Sequence, residues 1–502
     1  QPPRPAWGIR PPPRKTQSMQ HPIVVAPAPN RVVIPIGQCL GQSAEPLVRI
    51  GQDVLAGEPI ARTVTGGSSP KLHASISGTV TAIREHAVPG SGDARETCVF
   101  IEGDGRDASY TAYENVGDPL QMRPERICKL VAEAGIVGLG GALFSTADKL
   151  AHCDDIHTLI LNGTECEPYI TCDEILMREH ARRILHGARV MMRAVGATRM
   201  IVGIESDMPE ARVAMWDVIE ADGLDDVFVS IVTAKYPAGG ERQLIQLVTG
   251  EEVPDGGWPG DIGYLCQNVG TAAAVADLFR EGRPLISRVV TVTGRGIAEP
   301  VNIDARIGTL MEDLFGIAGG TTDEASHLIM GGPMMGVSVP SADIPITKAT
   351  NCLIVMTPAE ISPTLPEMPC IRCGECSQVC PAQLLPQELL NADRRHDMAA
   401  LTELGLDACI ECGCCDYVCP SQILLTDRFV ESKARLRDFL RERQRAERAQ
   451  RRFEAREARL AAAESTREAE LQKQIDDLQQ GDSIDDILAR VDARDGDEGG
   501  ER

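Results

Sequence analysis

Two runs of the sequence carry the same spacing of cysteines. They read Cys370-Ile-Arg-Cys373-Gly-Glu-Cys376-Ser-Gln-Val-Cys380-Pro381 and Cys409-Ile-Glu-Cys412-Gly-Cys-Cys415-Asp-Tyr-Val-Cys419-Pro420. A gap of two residues lets consecutive thiolates reach different irons of one cluster, and the Cys-Pro end starts a new element that points away. Zinc also binds Cys-x-x-Cys pairs, but a four-ligand zinc site gives no reason for so long a run to occur twice. The repeat therefore predicts two iron–sulfur clusters within residues 359–430.

The two runs resemble the pattern of bacterial two-cluster ferredoxins, in which the fourth cysteine of each run crosses to the other cluster. That resemblance implies one [4Fe–4S] cluster on Cys370, Cys373, Cys376 and Cys419, and a second on Cys409, Cys412, Cys415 and Cys380. Cys414 falls outside the pattern and is predicted not to be a ligand. The insertion between the runs has helical periodicity over 386–392 and 398–404, so this domain is predicted to be mostly α-helical.

The composition limits what else the chain can be. Its 502 residues suffice for about three ordinary domains. A formal net charge of −23 argues against nucleic acid as a partner. No run reaches the roughly 18 apolar residues of a membrane helix, and no secretory signal is recognisable, so a cytoplasmic location with only peripheral membrane attachment is expected. The cysteines outside the two runs are expected to be structural: Cys39, Cys98, Cys128, Cys153, Cys166, Cys172, Cys266 and Cys352.

The N-terminal part of the chain divides at about residue 30. Residues 1–30 are rich in proline and are predicted to form an arm or tether without regular elements. Residues 31–120 alternate short β-rich pieces with Gly and Pro turns, which predicts a small β-sandwich or a flattened barrel. Its Ser77-Gly78-Thr79-Val80 phrase resembles lipoyl-type barrel-sandwich domains, although the lysine that would carry lipoate is absent. This domain is predicted to be a docking or packing module.

Residues 121–298 carry a different pattern, in which apolar strands alternate with amphipathic helices. That order predicts a Rossmann-like parallel sheet, whose ligands bind beyond the carboxyl ends of the strands. The predicted strands are 156–161, 200–204, 227–233 and 263–266. A predicted helix follows each of the first three strands, at 173–195, 209–221 and 240–248. Polar, Gly-rich loops follow these strands at 162–167, 235–241 and 267–271.

The remaining segments complete a multidomain α/β and α+β prediction. Residues 299–358 mix short strands with one helix, as expected for a small β-grasp-like (SLBB) module. Residues 431–480 are predicted to form a charged helix, and residues 481–502 an acidic, disordered tail. The first part of that helix is locally basic, so it is either a solvated helix held by ion pairs or a contact for anionic lipid or an acidic partner.

A glycine-rich segment, Gly138-Leu-Gly140-Gly141-Ala-Leu143, lies near the start of the α/β region. It is weak as a dinucleotide fingerprint, because a helix precedes it and Leu143 stands where a small residue is needed. Its glycines nevertheless permit a close backbone approach to a phosphate or a flat ring. Lys149, about two helical turns on, would supply a cation, or else is a solvated surface lysine.

A resemblance to a known family rests on segments 138–150, 162–169, 236–244 and 267–271, on Gly331-Gly-Pro-Met-Met-Gly336 and on the paired cysteine runs. Together they closely resemble the C subunit of the Rnf (Rsx) ion-translocating electron-transport complex, from about Gly8 to Arg435. The flavin-site loops are also similar to those of the NADH-oxidising flavoprotein subunit of respiratory complex I. The resemblance implies non-covalent FMN in the α/β domain, with NAD(H) as substrate. It implies that FMN is surrounded by Gly138, Gly140, Gly141, Lys149, Asn162, Glu165, Tyr236, Gly239, Asn268 and Thr271. The nucleotide side would hold Phe144, Glu167 and Glu241.

The resemblance further implies an oxidoreductase and translocase subunit, attached peripherally to the cytoplasmic face of the bacterial inner membrane. Electrons would pass between NAD(H), FMN and the two clusters, to or from integral-membrane and iron–sulfur subunits of the same complex. Two alternatives stay open. One is a non-catalytic electron-transfer and assembly subunit with a degenerate nucleotide site, since Leu143 replaces a glycine of the family. The other is an NADH-linked module of a soluble hydrogenase or formate dehydrogenase. For Glu165, Glu167 and Glu241, capping of helix N-termini is the simpler interpretation.

Overall fold

The computed structural model describes most of the chain. The described residues are 5–39, 43–64, 70–90, 94–114, 116–141, 143–151, 155–361, 365–480, 484–486 and 488–489. Residues 1–430 form one unit and residues 431–502 a second. Cys153, arm residues 1–4 and most of the predicted tail lie outside the described residues. The described tail residues, 484–486 and 488–489, are helical, and the disorder expected for most of the tail stays a prediction.

The N-terminal β domain consists of two antiparallel sheets with a shared apolar core. One sheet has the order β2-β8-β7-β4 and the other β3-β5-β6. Val32, Ile34, Ile60 and Val99 are fully buried between them, so the alternating pattern of the strands packs one face of each sheet inward. The strands of this domain are β2 (Arg31–Pro35), β3 (Ala44–Pro46), β4 (Asp53–Val54), β5 (Pro59–Thr63), β6 (Lys71–His73), β7 (Gly78–Ala87) and β8 (Arg95–Gly103). They are preceded by β1 (Val24–Val25), which belongs to a different sheet.

The α/β region forms a four-stranded, fully parallel sheet with the order β11-β10-β9-β12. Its elements are α1 (Pro124–Glu133), α2 (Thr146–Ala151), β9 (Thr158–Gly163), α3 (Cys172–Val195), β10 (Arg199–Glu205), α4 (Pro209–Ala221), β11 (Val227–Val232), α5 (Glu241–Thr249), β12 (Tyr264–Asn268) and α6 (Val269–Glu281). Helices α3 and α6 touch closely at Gly187, where an added Cβ would lie 1.8 Å from the Ala272 carbonyl oxygen. The backbones of α3 and α6 are therefore in direct contact at this point.

The next part is a mixed six-stranded sheet with the order β1-β14-β13-β17-β15-β16. Its elements are β13 (Ser287–Thr293), β14 (Val301–Arg306), α7 (Met311–Ile317), β15 (His327–Met330), β16 (Val337–Val339) and β17 (Cys352–Met356). The sheet begins earlier than the limit expected at residue 299, because β13 pairs with both β14 and β17 and forms the middle of this sheet.

The described part of the N-terminal arm is not a free tether. Val24 and Val25 pair in parallel with Ile303 and Asp304 of β14. Further towards the N-terminus, the Tyr169 N–H donates to the Pro13 carbonyl oxygen at 2.8 Å. Proline lacks an N–H but keeps its carbonyl acceptor, so a proline-rich segment can lie extended on a surface that supplies donors. The prediction of an arm without any regular element is wrong at β1, which depends on a partner strand far along the chain.

The cysteine region, within the described residues 365–430, contains short helices and no strand. The helices are α8 (Glu375–Val379), α9 (Pro386–Arg394), α10 (Met398–Glu403), α11 (Cys414–Tyr417) and α12 (Leu425–Gln480). The charged helix therefore begins at Leu425 and not at 431. Asp416 explains the earlier start, because its carboxylate accepts the Thr426 N–H at 3.0 Å and so caps the first turn.

Residues 431–480 are helical, and the side chains that the structure describes in this range are largely exposed, with ion pairs such as Arg443–Glu447 at 3.0 Å. Pairs of this kind contribute only about 0.2–0.5 kcal/mol each. Among the residues that the structure describes, no helix combines the length and the apolarity required to span a bilayer.

Candidate functional site

Two asparagines mark the carboxyl edge of the parallel sheet. Asn162 at the end of β9 pairs in register with Asn268 at the end of β12. The Asn162 amide nitrogen donates to the Gly239 carbonyl oxygen at 2.9 Å, and its oxygen accepts the Thr164 N–H at 3.1 Å. An added Cβ at Gly239 would lie 2.9 Å from the Thr164 carbonyl oxygen, so this position requires glycine. The structure thus brings Asn162, Gly239 and Asn268 together at one edge.

The glycine-rich loop lies beside this edge and is held from two sides. The Leu139 N–H donates to the Thr271 hydroxyl oxygen at 2.9 Å, and the buried Arg288 guanidinium donates to the Leu139 carbonyl oxygen at 3.2 Å. Gly140 and Gly141 are exposed. An added Cβ at Gly140 would make ordinary contacts with the Asn268 side chain at 3.6 Å. The loop therefore presents an open backbone surface next to Asn268, whereas Thr271 is buried and supports the loop from behind.

Leu143 has a φ of 49°, in the left-handed region that glycine adopts without strain. Its side chain is half-buried and packs against the main apolar core of the α/β region. The replacement of the family's glycine therefore places strain in the backbone, while the leucine side chain contacts the core.

Lys149 and Glu241 form an ion pair at the same edge. The Lys149 ammonium also donates to the Cys266 carbonyl oxygen at 2.7 Å. The alternative of a solvated surface lysine is therefore wrong, because the side chain has two partners and is only 24% exposed. A cation and a carboxylate are thus available together beside the loop.

Glu165 caps helix α3. Its carboxylate accepts the N–H groups of Asp173 at 2.9 Å and of Glu174 at 3.1 Å, as the simpler interpretation predicts. Lys15 of the arm donates to the Glu165 carbonyl oxygen. Sequence reasoning missed Lys15, because nothing near it in the chain reveals its acidic neighbours.

Glu205, at the end of β10, lies in the same acidic surroundings. Its side chain is 3% exposed, and Oε1 has no hydrogen-bond partner among the described residues. Burial raises the pKa of the Glu205 carboxyl to about 8; the nearby carboxylates of Asp207, Glu165 and Glu174 add to the rise, and Lys15 opposes it.

Replacing Glu205 with glutamine is expected to stabilise the protein increasingly as the pH rises from 5 to 8. Because the folded-state pKa lies above the unfolded value, wild-type stability is greatest below the unfolded pKa and is lost as the pH rises towards 8, by at most about 1.4 kcal/mol per pH unit. The neutral amide does not titrate. Thermal unfolding of both proteins across this range measures the difference. The exposed Asp225→Asn variant is the control, and a difference that stays constant with pH would contradict the assignment.

Glu167 faces the loop 331–336. Its carboxylate accepts the N–H groups of Met334 at 3.2 Å and of Met335 at 2.9 Å. An added Cβ at Gly332 would lie 2.2 Å from the Glu167 carboxylate, which explains the glycine there. Burial raises the pKa of the Glu167 carboxyl to about 7, and the two N–H groups oppose that rise. Glu167 therefore connects the sheet edge to this loop, a contact that sequence reasoning did not predict.

Two exposed aromatic side chains lie side by side next to the glycine loop. The rings of Phe144 and Trp258 are 6.2 Å apart and tilted by 43°. Trp258 is 65% exposed, in a loop rich in Gly and Pro. An exposed tryptophan in such a loop is the signal that sequence reasoning overlooked, and the pair offers a flat surface for stacking.

The cysteines of the two runs surround two recesses. The first has about 390 Å³ of empty space and is lined by Cys370, Cys373, Cys376 and Cys419, with apolar neighbours that include Leu390 and Ile423. The second has about 370 Å³ and is lined by Cys380, Cys409, Cys412 and Cys415, with neighbours that include Leu389 and Phe429. Cys414 also lines the second recess and is buried. The fourth cysteine of each run thus lies with the first three of the other.

Tyr236 connects the sheet edge to the second recess. Its side chain is buried, and its hydroxyl donates to the Cys412 carbonyl oxygen at 2.7 Å. The structure therefore places the Tyr236 hydroxyl against the cysteine region, and the contact of this residue with FMN stays a prediction.

Four family models match successive parts of the chain. They are the RnfC barrel sandwich hybrid domain at residues 6–106, the Nuo51 FMN-binding domain at 131–277, the SLBB domain at 289–338 and the 4Fe-4S dicluster domain at 369–424. These matches and the geometry above define a multidomain flavin and iron–sulfur electron-transfer protein. They confirm the two predicted cofactor types, FMN and a pair of [4Fe–4S] clusters.

Curated relatives define the family more closely. The chain is 43% identical over 465 residues to the C subunit of the ion-translocating oxidoreductase complex of Pseudomonas aeruginosa, covering 92% of this chain and 59% of that protein. It is 42% identical over 462 residues to the corresponding protein of Yersinia pestis bv. Antiqua, covering 92% and 74%. The chain belongs to the family of C subunits of the ion-translocating oxidoreductase complex, which confirms the resemblance seen in the sequence.

Among solved structures, the chain is similar to an NAD+-reducing [NiFe]-hydrogenase in the H2-reduced state. The TM-score is 0.46 with 20% identity, over 63% of this chain and 61% of that one.

Proposed function

We propose that this chain is the peripheral electron-transfer subunit of an ion-translocating complex, exchanging electrons between NAD(H), FMN, two [4Fe–4S] clusters and membrane partner subunits. The observation that carries the proposal is the arrangement of eight cysteines around two recesses, in one unit with an FMN-binding type of domain. FMN, when bound, supplies the conversion between two-electron and one-electron transfer.

The cysteine region fits two clusters by the chemistry of its donors. Each recess has four sulfur ligands and apolar walls, as a cubic cluster requires. The proposed ligands are Cys370, Cys373, Cys376 and Cys419 for one cluster, and Cys380, Cys409, Cys412 and Cys415 for the other. The proposal leaves Cys414 as a buried thiol without an iron bond.

The carboxyl edge of the parallel sheet fits FMN because the backbone of the adjacent glycine loop is open to solvent. Gly140 and Gly141 are exposed, and side chains at these positions would occupy the surface that the ring or phosphate needs. Asn162, Asn268 and Gly239 border this surface, and Lys149 supplies the cation. Glu241 forms an ion pair with Lys149, and Arg288 and Thr271 keep Leu139 in place.

The stacking surface of Phe144 and Trp258 is proposed to receive NAD(H). Replacing Trp258 with alanine is expected to cost about 1 to 1.5 kcal/mol of nucleotide binding, or roughly a five- to tenfold rise in the NADH concentration for half-maximal cluster reduction. Iron and FMN contents should stay at the wild-type level, since Trp258 is largely exposed. Stopped-flow absorbance of the clusters measures the effect. Trp216→Ala, at an exposed tryptophan of α4, is the matched control, and equal curves for all three proteins would contradict this placement.

Peripheral attachment at the cytoplasmic face of the inner membrane, and contact of helix residues 431–480 with anionic lipid, also belong to this proposal. They are supported by the family and by the basic residues of that helix. Because the chain spans 59% of one curated relative and 74% of another, ion translocation is proposed for the whole complex and not for this chain alone.

Anaerobic purification with analysis of iron, sulfide and flavin tests the function. We expect roughly eight irons per chain, a yellow fluorescent supernatant after acid precipitation, and bleaching of the clusters by NADH. Clusters without flavin and without NADH reduction would overturn the proposal in favour of an assembly subunit with a degenerate nucleotide site.

A further inference from the structure

Tyr236 lies in the loop beyond the carboxyl end of the parallel sheet, and its side chain forms a hydrogen bond with the backbone of a predicted cluster ligand. It follows β11, and its hydroxyl donates to the Cys412 carbonyl oxygen at 2.7 Å. Within the described residues, Cys370, Cys373, Cys376 and Cys419 have no such hydrogen bond from the α/β region. The hydroxyl thus distinguishes the second recess from the first.

The arm keeps Tyr236 in place from the other side. Tyr236 and Ile9 exchange two backbone hydrogen bonds, at 2.9 and 3.0 Å, and the neighbouring Gly8 N–H donates to the Val379 carbonyl oxygen at 2.9 Å. An added Cβ at Gly8 would lie 2.4 Å from the Tyr236 carbonyl oxygen, so the two backbones are in direct contact. The Tyr236 backbone cannot shift without moving the arm.

The surroundings of this hydrogen bond are apolar. Ile9, Tyr236, Cys412 and Cys414 form one buried cluster, against which Met334 also packs. Met334 belongs to the loop that Glu167 holds, and its carbonyl oxygen lies close to Gly413. In a dry environment the dipole of a hydroxyl group acts more strongly on a neighbouring charge than it does in water.

We infer that Tyr236 is a positioning residue for the cluster of Cys380, Cys409, Cys412 and Cys415, and that this cluster is the one joined to the flavin edge. The second part of the inference rests on the proposed function, since it requires FMN as well as the clusters.

The physical consequence concerns the reduction potential. The positive end of the Tyr236 O–H dipole points at the carbonyl oxygen of Cys412, which is a proposed ligand of the cluster. A reduced cluster carries more negative charge, so the dipole stabilises the reduced state. Removing the hydroxyl should therefore lower the potential of this cluster and leave that of the other unchanged.

The test uses Tyr236→Phe in the full chain with its cofactors, and redox titration followed by EPR. We expect one of the two cluster potentials to fall, with iron and FMN contents unchanged. The same substitution in the Cys419→Ser background, which keeps only the second cluster, should show the shift. In the Cys380→Ser background it should show none. Tyr113→Phe is the matched control, since that buried hydroxyl donates to the Glu133 carbonyl oxygen at 2.9 Å in another part of the chain.

Unchanged cluster potentials in Tyr236→Phe would overturn the inference. If this variant also lost FMN while its cluster potentials stayed unchanged, Tyr236 would be a flavin contact instead of a positioning residue. A shift in the Cys380→Ser background, or an equal shift in Tyr113→Phe, would overturn it as well. Failure of the proposed function can be distinguished from failure of this inference. A wild-type chain that holds both clusters but no FMN would refute the proposed function. The cluster potentials of Tyr236→Phe would still decide whether Tyr236 is a positioning residue.

Discussion

Replacing Cys419 with serine is expected to remove the cluster of the first cysteine run, although Cys419 belongs to the second. It lines the recess of Cys370, Cys373 and Cys376, and a cluster that loses one of four thiolates is poorly held. Iron should fall from roughly eight to roughly four per chain. EPR of the reduced protein should retain the signal of the other cluster.

Three further variants complete this test. Cys380→Ser should remove the opposite cluster and leave the signal that Cys419→Ser loses. Cys414→Ser should keep roughly eight irons, because the proposal assigns that buried thiol no ligand role. If Cys419→Ser lost the same signal as Cys409→Ser, the crossed arrangement would be refuted.

A side chain at Gly140 is expected to displace FMN without unfolding the chain. Gly140 is exposed, its backbone lies outside the left-handed region, and an added Cβ would meet only ordinary contacts at Asn268. Valine would occupy the surface proposed for the flavin, at a cost of about 1–3 kcal/mol, or roughly 5- to 150-fold in FMN affinity. Fluorescence titration of the flavin-depleted protein measures this loss.

The control for Gly140→Val is the same change at Gly316, an exposed glycine of α7 with open space around it. Both variants should keep the wild-type iron content. An FMN affinity for Gly140→Val equal to that of wild type would show that the flavin lies elsewhere, and iron loss in this variant would show that the chain is misfolded.

Short-range patterns determined the elements and the cofactor types. The predicted helix 209–221 has the observed bounds of α4, because a proline opens it and its apolar spacing lies within the segment itself. The cysteine spacing likewise carries its ligand chemistry within twelve residues of each run. The glycine loop and the strand-end asparagines were identified in the sequence for the same reason, since backbone freedom and strand polarity are local properties.

Only the tertiary structure decided what each site residue does, since its partner lies far along the chain. Thr271 supports Leu139 from behind the loop, and Glu167 holds the loop of Met334. Tyr236, which was predicted beside FMN, also donates to the Cys412 carbonyl oxygen, a contact that the sequence did not indicate. The contacts of the proline-rich arm could not be predicted from the sequence for the same reason. Its backbone groups and β1 form hydrogen bonds with residues of other domains, far along the chain. Residue type and spacing record which groups are present, whereas burial and hydrogen bonding between distant segments determine which of them face a ligand.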